Sequence, residues 1–491
     1  MARKICSTTE SAPDETPIHP PQRGHVRVVP LGGVGEFGKN CTVIEYGDDL
    51  FVIDCGLKFP EDEMLGIDFV VPDFTYVQQS ADRLRGVILT HGHEDHIGAV
   101  PYFVRHLGLE CVKVYASRLT IELVKAKLEE LDVLSMVDLE VIEPFERRTI
   151  GSVQFEFLPV THSIPMAFAV AMYTPEGVVL HTGDFKFDPD GSDESGTLRR
   201  FADRMGPGRV MLLLADSTNA DREGVSPQEQ VVREGLREVL AGAERTVILA
   251  VFSSSLHRVQ TAIELARECG RRIAICGYSL ERNFEIASRI GLLHGHDSLL
   301  LPLHELVHLP ARERLILTTG TQGEPLSALS RLSLDSFKGY KVQPGDLVIM
   351  SSRIIPGNER GIYRMINHFY RRGARVVTER EARVHASGHA YRGEMQALLE
   401  RLKPRHLMPI HGELRQLIGH RDTALAAGIP DSCIHVLENG MTLDVCETGA
   451  AVIPTDWAGQ MLVDGRHLDG VDEVVLRDRR HLSCDGMLTV I

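Results

Sequence analysis

The chain has 491 residues, a formal net charge of −15, 43% hydrophobic residues and 25% charged residues. This length predicts two or three domains, and the composition is that of a globular protein. No apolar run approaches the roughly 20 residues that a membrane helix needs, so no membrane partner is predicted. The acidic balance argues weakly against a nucleic-acid partner, although a groove can be basic while the whole surface is acidic.

The N-terminus and the cysteines bear on the cellular compartment. Residues 1–24 lack the apolar core of a signal peptide and are rich in Pro, Ser and Thr, a composition that predicts a flexible tail. The 9 cysteines are scattered and form no CxxC pair. A disulfide framework is therefore not predicted, and a reducing cytoplasm fits better.

Alternating apolar residues and Gly-rich turns predict the elements of the first half of the chain. In chain order they are strands near 26–31, 41–46, 50–54 and 85–90, a helix near 97–107, a strand near 111–115, a helix near 117–131, and strands near 153–159, 168–173, 177–181 and 209–216. The strand at 85–90 runs directly into a cluster of histidines.

From about residue 225 to 383 helices and strands alternate, which predicts a parallel sheet covered by helices. Residues 384–450 return to the first pattern, with strands and a histidine loop. The remaining residues, 451–491, indicate short strands and turns, and the chain ends at GMLTVI within an apparent strand. A natural C-terminal strand would explain this ending; we favour a linker or the start of a truncated C-terminal region.

The segment GVGEFG, residues 33–38, matches the G-x-G-x-x-G pattern of dinucleotide-binding sites and follows a strand. That pattern requires a helix next, whereas the next segment, CTVIEY, is predicted to be a strand. A tight turn near a metal site is therefore favoured over nucleotide binding.

The segment THGHEDH, residues 90–96, carries four potential metal ligands: His91, His93, Asp95 and His96. Imidazole and carboxylate groups suit zinc, manganese and iron. Side chains crowded in this way would repel one another when charged, and a bound metal ion would neutralise that repulsion. The alternative is a polar surface loop.

Two metals need about six or seven ligands, so further ligands must come from elsewhere. His162, Asp184 and His411 each follow an apolar strand, where a sheet presents side chains to one rim. Taken singly, each is better explained as a turn residue or a helix cap. Taken with the histidine cluster, metal binding is favoured. Asp54 ends the strand LFVID and is expected to orient a ligand by hydrogen bonding.

HGHEDH resembles the HxHxDH signature of the metallo-β-lactamase superfamily, and the later candidates match its remaining ligand motifs in order. The resemblance implies that His91, His93 and His162 hold one metal, that Asp95, His96 and His411 hold the other, and that Asp184 bridges them. It also implies two Zn²⁺ ions, with Mn²⁺ as the alternative, because ligand type does not separate these metals.

Between Asp184 and His411 lie 226 residues, more than a small-molecule hydrolase of this fold needs. DSTN at Asp216, HASGHA at His389 and PIHGE at His411 resemble the three extra motifs of the β-CASP group, whose members cut nucleic acids. A histidine at the third motif favours RNA. The implied fold is α/β: a metallo-β-lactamase αββα sandwich, 25–224 and 384–450, with an inserted parallel α/β β-CASP domain, 225–383. Asp216 is expected to lie next to the metal ligands and to orient them by hydrogen bonding.

Longer stretches, among them PLGGVGEFGKN, DSTNADREG, GTQGEPLSALSR and IPGNE, resemble the bacterial ribonuclease J family from about residue 25 to the end. The resemblance implies 5′→3′ exonuclease action on single-stranded RNA with a 5′-monophosphate, some endonuclease action, and a role in RNA maturation and decay. It also implies a homodimer or homotetramer and partners in an RNA-decay complex. Ser255 and Tyr278 depart from the family pattern, which often has Asn and Arg there, and this weakens the inferred 5′-end preference.

Three loops rich in Ser, Thr and Gly follow strands of the insert, where open parallel sheets bind ligands. N-capping by these residues is the alternative. The residues expected to bind substrate are Ser253, Ser254, His257, His385, Ser387, Gly388 and His389. Asp95 is expected to accept the proton of the attacking water. His389 is expected to stabilise the oxyanion or to protonate the leaving 3′-oxygen.

Two other functions fit part of the sequence. A thioesterase or β-lactam hydrolase on the same fold would explain the metal ligands, but it would leave the large insert and HASGH without a role. A non-catalytic scaffold in an RNA-decay assembly would explain the insert. However, such a protein is expected to lose ligands, and all seven are present.

Overall fold

The computed structural model describes residues 18–61, 63–187, 197–355, 357–465, 468 and 473–485. Within them, three sheets of eight, six and five strands carry the fold. No helix of these residues is long and apolar enough to cross a bilayer.

The strands of the described residues follow the apolar runs of the sequence. In chain order they are β1 Val26–Gly32, β2 Val34–Gly35, β3 Cys41–Tyr46, β4 Asp49–Ile53, β5 Phe69–Pro72, β6 Leu84–Ile88, β7 Val112–Ala116, β8 Val137–Val141, β9 Arg147–Ile150, β10 Val153–Val160, β11 Ala167–Thr174, β12 Gly177–His181, β13 Val210–Asp216, β14 Val247–Ala250, β15 Arg272–Cys276, β16 Arg314–Thr318, β17 Leu347–Met350, β18 Arg375–Val377, β19 His406–Ile410, β20 Gly412–Glu413, β21 Thr442–Cys446, β22 Gly449–Ile453 and β23 Gln460–Val463.

The α-helices lie between these strands. In chain order they are α1 Thr75–Gln79, α2 Glu94–Ile97, α3 Val100–Leu107, α4 Arg118–Glu130, α5 Thr197–Met205, α6 Glu229–Ala241, α7 Leu256–Glu268, α8 Tyr278–Arg289, α9 Leu303–Leu306, α10 Ala328–Ser333, α11 Glu359–Arg371, α12 Arg392–Leu402, α13 Leu414–Ala426 and α14 Glu473–Asp485.

Two sheets pack face to face. The eight-stranded sheet has the order β22-β21-β1-β3-β4-β6-β7-β8, and the six-stranded sheet has the order β19-β13-β12-β11-β10-β9. Their inner faces share one apolar core, in which the rings of Phe51 on β4 and Phe155 on β10 meet edge to face at 4.9 Å. Helices cover both outer faces, with Phe103 of α3 on one and Phe201 of α5 on the other. The predicted αββα sandwich is confirmed.

The third sheet lies in the insert. Its order is β15-β16-β14-β17-β18, and every neighbouring pair is parallel. The helices between its strands bury apolar residues against it, as Ile362 and Phe369 of α11 do. The insert leaves the sandwich after β13 and returns at β19, and these two strands are parallel neighbours. The predicted parallel α/β insert is confirmed.

The Gly-rich segment 33–38 forms a tight turn beside the histidine loops. Gly33 has φ +85°, and a Cβ there would lie 2.2 Å from Asn40 Oδ1, so no larger residue fits. Val34 and Gly35 pair with β20 directly after His411. The following segment is strand β3 and not a helix, so a dinucleotide-binding arrangement is absent, as predicted.

One prediction is wrong at the C-terminus, where 451–491 indicated short strands and turns. Strand β23 is present, but Glu473–Asp485 forms helix α14. Leu476 is buried in a small cluster with Ile67 and Val70, and the Arg479 guanidinium reaches Asp464. Contacts with distant residues thus select a helix where the local sequence was ambiguous. The segment GMLTVI and residues 1–17 lie outside the described residues.

Two buried histidines make the sandwich sensitive to acid. His406 Nδ1 and His435 Nε2 lie 3.1 Å apart, and burial together with the neighbouring ring lowers the pKa of His435 to about 4. Burial also lowers the pKa of His406. In an unfolded chain both would titrate near 6.5. The unfolded state therefore binds more protons between about pH 6.5 and 4, and the pair's stabilisation is lost as the pH falls through that range.

We predict that His435→Gln reduces the acid sensitivity of folding. The wild-type midpoint of thermal unfolding should drop as the pH falls from 7 to 4.5, and the variant should show a smaller drop. The measurement is thermal unfolding followed by circular dichroism with a chelator present, so that metal loss does not contribute. The exposed His304→Gln variant is the matched control. Equal slopes for wild type and His435→Gln would contradict the prediction.

Candidate metal centre

The predicted ligands meet at one edge of the sandwich. His91 and His93 follow β6, His162 follows β10, Asp184 follows β12 and His411 follows β19. In the six-stranded sheet β10 and β12 run in the same direction, because each is antiparallel to β11, and β12 is parallel to β13 and β13 to β19. Strand ends that point the same way bring residues from distant parts of the chain into one site. Asp95 and His96 enter it from the short helix α2.

Asp184 is the common neighbour of four histidines. Its Oδ2 atom lies 3.2 Å from His96 Nε2, 3.5 Å from His91 Nε2, and 3.6 Å from both His162 Nε2 and His411 Nε2. One carboxylate oxygen shared by four imidazoles is the arrangement that a bridging ligand requires.

One group of donors lies on the first side of Asp184. His93 Nδ1 is 3.0 Å from His91 Nε2 and 3.1 Å from His162 Nε2. Ligands of a tetrahedral zinc ion, with Zn–N distances of 2.0–2.1 Å, are about 3.3 Å apart. These three nitrogens and Asp184 therefore have the spacing of a single divalent-cation site.

A second group lies on the other side of Asp184. Asp95 Oδ2 is 3.3 Å from His411 Nε2 and 3.7 Å from His96 Nε2. The amide of Asn40 donates to the Asp95 carboxylate over 3.4 Å and to its main-chain oxygen over 3.0 Å. The structure thus brings all seven sequence-predicted ligands into one cluster, in which Asp184 belongs to the first group and lies within 3.6 Å of the His96 and His411 nitrogens of the second. A third, overlapping group joins Asp184 and His411 to Asp216 and His389.

Hydrogen bonds behind the ligands select their tautomers. Asp54 accepts from His96 Nδ1 at 2.7 Å, which leaves the lone pair of His96 on Nε2, toward the other donors. The Thr90 hydroxyl donates to Asp54, so its oxygen is an acceptor for His91 Nδ1 at 3.0 Å. The carboxylate of Asp54 therefore fixes one imidazole directly and a second through Thr90.

The other two Nε2 ligands are fixed from the distant part of the chain. His162 Nδ1 donates to the carbonyl oxygen of Gly388 at 2.8 Å. Thr218 donates its hydroxyl to Asp216 at 2.7 Å, and its oxygen then accepts from His411 Nδ1 at 2.6 Å. Each of these Nε2 atoms is left with a lone pair directed at the shared carboxylate, which is the donor chemistry that a metal needs.

The histidines of the cluster fall into two groups, one with a lowered pKa and one with a raised pKa. Burial, reinforced by neighbouring rings, lowers the pKa of His93 to about 4 and holds those of His91 and His162 well below the ordinary value. These three are neutral at pH 7 and ready to ligate. Burial would also lower the pKa of His411, but Asp184, Asp95 and Asp216 outweigh it and raise that pKa to about 9.

The pKa of His96 is raised as well, because the carboxylates of Asp184 and Asp54 outweigh the effect of burial. Conversely, the histidines hold the pKa of Asp184 well below its usual range in spite of burial. A divalent cation would replace the protons of His96 and His411 as the counter-charge. The donor set therefore fits two divalent cations, and imidazole with carboxylate ligands suits zinc or manganese.

The HASGH loop closes over this cluster. His389 Nδ1 lies 2.8 Å from Asp216 Oδ2 and 3.9 Å from Asp184 Oδ2. Ser387 accepts a hydrogen bond from the Asn219 amide at 2.9 Å. A Cβ on Gly388 would lie 2.7 Å from the ring of the ligand His162, so only glycine allows this approach.

The remaining predicted substrate residues lie further out in the insert. His385 Nδ1 is buried without a hydrogen bond to any described residue, and burial together with Arg258 lowers the pKa of His385 to about 3. Lys186, Arg258 and Glu229 influence the pKa of both His385 and His257, so these two histidines lie in one charged cluster. Within it Glu229 pairs with Arg258 at 2.7 Å and with Lys186 at 3.6 Å.

Ser253 and Ser254 follow β14, on the rim of the parallel sheet. Asn283 donates to the main-chain oxygen of Ser253 at 3.1 Å. Among the described residues, no side chain bonds to either serine hydroxyl, and neither serine touches a predicted ligand. Both hydroxyls are therefore available to a ligand at the rim.

Sequence reasoning missed the side chains that hold the ligands in place. They are Asn40, Thr90, Thr218, Asn219 and Arg353, whose guanidinium donates to Asn219 Oδ1 at 3.0 Å. Most of them stand next to a quoted motif, in THGHEDH, DSTN or the Gly-rich turn. Adjacency to a ligand motif was thus a usable signal, although it could not say which ligand each residue would support.

We predict that Thr218→Val weakens one metal group selectively. The variant keeps the side-chain volume but removes the acceptor of His411 Nδ1, and the loss of such a partner costs about 10–100-fold in metal affinity. Competition with a chelator, read by elemental analysis, should show one weakened metal and one unchanged metal. The control is Thr423→Val, which removes a buried hydroxyl from α13. Equal weakening of both metals would contradict the assignment of two groups.

Three family models match the chain in its order of domains. They are described as "Metallo-beta-lactamase superfamily" over residues 34–221, "Ribonuclease J, beta-CASP domain" over 244–369 and "Zn-dependent metallo-hydrolase RNA specificity domain" over 373–434. A crystal structure of a protein of unknown function from Enterococcus faecalis V583 covers 89% of this chain and 100% of its own, with a TM-score of 0.57 and 15% identity. At that identity the likeness shows the fold alone.

Curated relatives match almost the whole chain. Ribonuclease J of Mycobacterium tuberculosis is 40% identical over 470 residues, which are 96% of this chain and 84% of the relative. Ribonuclease J2 of Bacillus subtilis is 37% identical over 472 residues, 95% of this chain and 83% of the relative. With this coverage and these ligands in place, the chain belongs to the ribonuclease J family.

Proposed function

We propose that this chain hydrolyses phosphodiester bonds of single-stranded RNA, proceeding 5′→3′ from 5′-monophosphate ends with some internal cleavage, in RNA maturation and decay. As a member of its family it is a metal-dependent nuclease. The observation that carries the proposal is the position of His389 from the HASGH loop, 3.9 Å from the carboxylate of Asp184. A small-molecule hydrolase would have no need of that loop.

The residues around the shared carboxylate suit phosphoryl chemistry. When bound, two divalent metals supply charge neutralisation on the attacking and leaving oxygens and favour deprotonation of the attacking water. We assign zinc to both groups, with manganese as the alternative. The Asp95 carboxylate lies at the open side of the cluster, partly exposed, where it can accept the proton of that water.

His389 is the candidate for the leaving-group side. Its Nδ1 donates to the Asp216 carboxylate, which turns Nε2 away from Asp216 and leaves it without a partner among the described residues. From there it can donate to a non-bridging oxygen or to the leaving 3′-oxygen. Asp216 would then act by holding the ring in one tautomer.

Substrate positioning falls to the two loops that flank this histidine. Ser387 beside the cluster would hold the phosphate nearest the scissile bond. The charged cluster of Lys186, Arg258, His257 and His385 would take a further phosphate, and the free hydroxyls of Ser253 and Ser254 would take another at the rim. Local positive charge at the substrate would reconcile a polyanionic substrate with the net charge of −15.

Several wider assignments are part of the same proposal. We place the protein in the cytoplasm, in accord with free cysteines such as Cys41, Cys55 and Cys276. We assign a homodimer or homotetramer with partners in an RNA-decay complex. We also assign the domain limits 25–224, 225–383 and 384–450.

We predict shortening from the 5′ end that depends on the 5′ group. RNA labelled at its 3′ end and bearing a 5′-monophosphate should be degraded progressively by metal-replete enzyme, and the 5′-triphosphate form much more slowly. Resolving the products over time on a gel tests this. Equal rates for both ends would mean that Ser255 and Tyr278 have abolished the preference.

A thioester substrate run in parallel separates the alternatives. Fast thioester hydrolysis beside negligible RNA cleavage, with the metals measured in place, would overturn the proposal in favour of a small-molecule hydrolase. Absence of both thioester hydrolysis and RNA cleavage would favour a non-catalytic scaffold.

We predict that Asp216→Asn and His389→Ala each lower kcat by about 10²–10⁴-fold, because Asp216 Oδ2 holds the His389 imidazole while Oδ1 keeps its contact with Thr218 in the asparagine variant. The double variant should be no slower than the worse single variant, since two residues of one unit are not additive. Metal content, measured by elemental analysis, should stay the same in His389→Ala. A multiplicative loss in the double variant would show that the two residues act separately. The exposed Asp203→Asn variant serves as the control.

A further inference from the structure

Residues 359–375 run from the start of α11 to the first residue of β18. Their net charge is opposite in sign to that of the whole chain. The segment contains five arginines and one glutamate, against a net charge of −15 for the whole protein. A basic stretch on an acidic protein usually has a polyanionic partner or is simply solvated, and the arrangement of the side chains distinguishes these cases.

The basic residues of α11 share one face of the helix with two tyrosines. Ile362 and Phe369 point into the apolar core of the insert. The opposite face exposes Arg360, Arg364 and Arg371 in one row. The row beside it exposes Tyr363 and Tyr370, 40% and 54% accessible.

The spacing of the two rows follows from helix geometry. At a rise of 1.5 Å per residue, Tyr363 and Tyr370 stand about 10 Å apart along the axis, with Arg364 and Arg371 one position beyond them. A single exposed tyrosine needs no explanation, but two in register beside a row of arginines form a patch with both stacking and phosphate-binding groups.

The arginines of this face are not occupied by acidic neighbours. Arg360, Arg364 and Arg371 make no ion pair with any residue that the structure describes. Other surface arginines of the insert behave differently, as Arg237 pairs with Glu268 at 2.9 Å and Arg289 with Glu122 at 2.6 Å. The α11 face therefore presents free guanidinium groups, which suit phosphates as bidentate partners.

A cavity of about 230 Å³ lies beside this face, between α11 and the loop that carries Arg353, and Glu359 and Glu379 are among its lining residues. Tyr363 and Arg380 line it from the α11 side, and the Arg380 guanidinium lies over the Tyr363 ring at 6.0 Å. Arg353 lines it from the other side. Arg353 also donates to Asn219, which donates in turn to the carbonyl oxygen of His389 at 3.2 Å. An RNA strand that passes Arg353 on its way out of the metal centre would thus meet Tyr363 at this cavity.

We propose that the outer face of α11, with Arg360, Tyr363, Arg364, Tyr370 and Arg371, is a second binding track for single-stranded RNA outside the catalytic cleft. This inference rests on the proposed function. The arginines contact phosphates, and the tyrosines stack on bases, with Tyr363 and Arg380 taking one base at the cavity.

Single-stranded RNA fits this face better than other polyanions. A duplex keeps its bases stacked on one another, so exposed tyrosines gain little from it. Single strands offer free base faces, and stacking on an aromatic ring is tolerant of sequence. The track would retain long RNA on the enzyme between cuts.

The test is the affinity for RNA of two lengths. Metal-replete wild type and the Arg360→Gln/Arg364→Gln/Arg371→Gln variant are titrated into labelled phosphorothioate RNA, which is cleaved slowly, of about 6 or about 30 nucleotides. Fluorescence anisotropy at several salt concentrations gives Kd and its salt slope. For the long RNA, we expect Kd to rise at least tenfold in the variant and the slope to fall by about 2, since each lost contact to a single strand removes about 0.7.

The short RNA, which stays in the cleft, should bind the variant within about twofold of wild type. The Tyr363→Ala/Tyr370→Ala variant should weaken long RNA at least fivefold with an unchanged salt slope, because stacking carries no counterion term. The matched control, Arg237→Gln/Arg289→Gln/Arg312→Gln, alters the net charge equally in the same domain and should leave the long-RNA slope unchanged.

An unchanged Kd and slope for long RNA in the α11 arginine variant would overturn this inference while leaving the proposed function intact. An equal loss in the control variant would also overturn it, because the effect would then be one of net charge. Failure of wild type to bind or cut either RNA would instead overturn the proposed function.

Discussion

The structure depends on one buried carboxylate, that of Asp184, placed among four imidazole nitrogens at 3.2–3.6 Å. A buried carboxylate is costly unless its charge is matched. Asp184 and its neighbouring carboxylates raise the pKa of His96 and of His411, which favours protonated imidazoles as the counter-charge when no metal is bound. With metal, the cations would take over that role. The packing of both sheets serves to deliver these side chains to the same point.

The imidazoles are useful because other residues hold their outer nitrogens. Asp54 and Thr90 come from the first part of the sandwich, whereas Thr218 and Gly388 flank the insert. The insert is thereby tied to the ligands at both of its ends, through His411 on one side and His162 on the other. Segments on both sides of the insert thus help to orient two of the ligands.

Charge is distributed unevenly in a way that net charge conceals. The arginines of α11 that make no ion pair with a described residue form a positive region on a protein of net charge −15. In contrast, Arg258 and Lys186 are both paired with Glu229. Positive regions near the site attract a polyanion, while the acidic remainder disfavours non-specific adsorption elsewhere. The acidic total charge is therefore compatible with a nucleic-acid partner.

The sequence by itself determined the elements and the ligand types. The sequence predicted that the metal ligands meet at one edge of the sandwich, because apolar strands are followed by His91, Asp184 and His411. Strand periodicity and the preference of metals for these side chains are local properties. Only tertiary structure decided what lies behind those ligands and which nitrogen of each imidazole faces inward. The Thr218 and Gly388 contacts join residues 193 and 226 positions apart, and no local pattern encodes such pairs. The same limit explains α14, a helix selected by the packing of Leu476 against Ile67 and Val70.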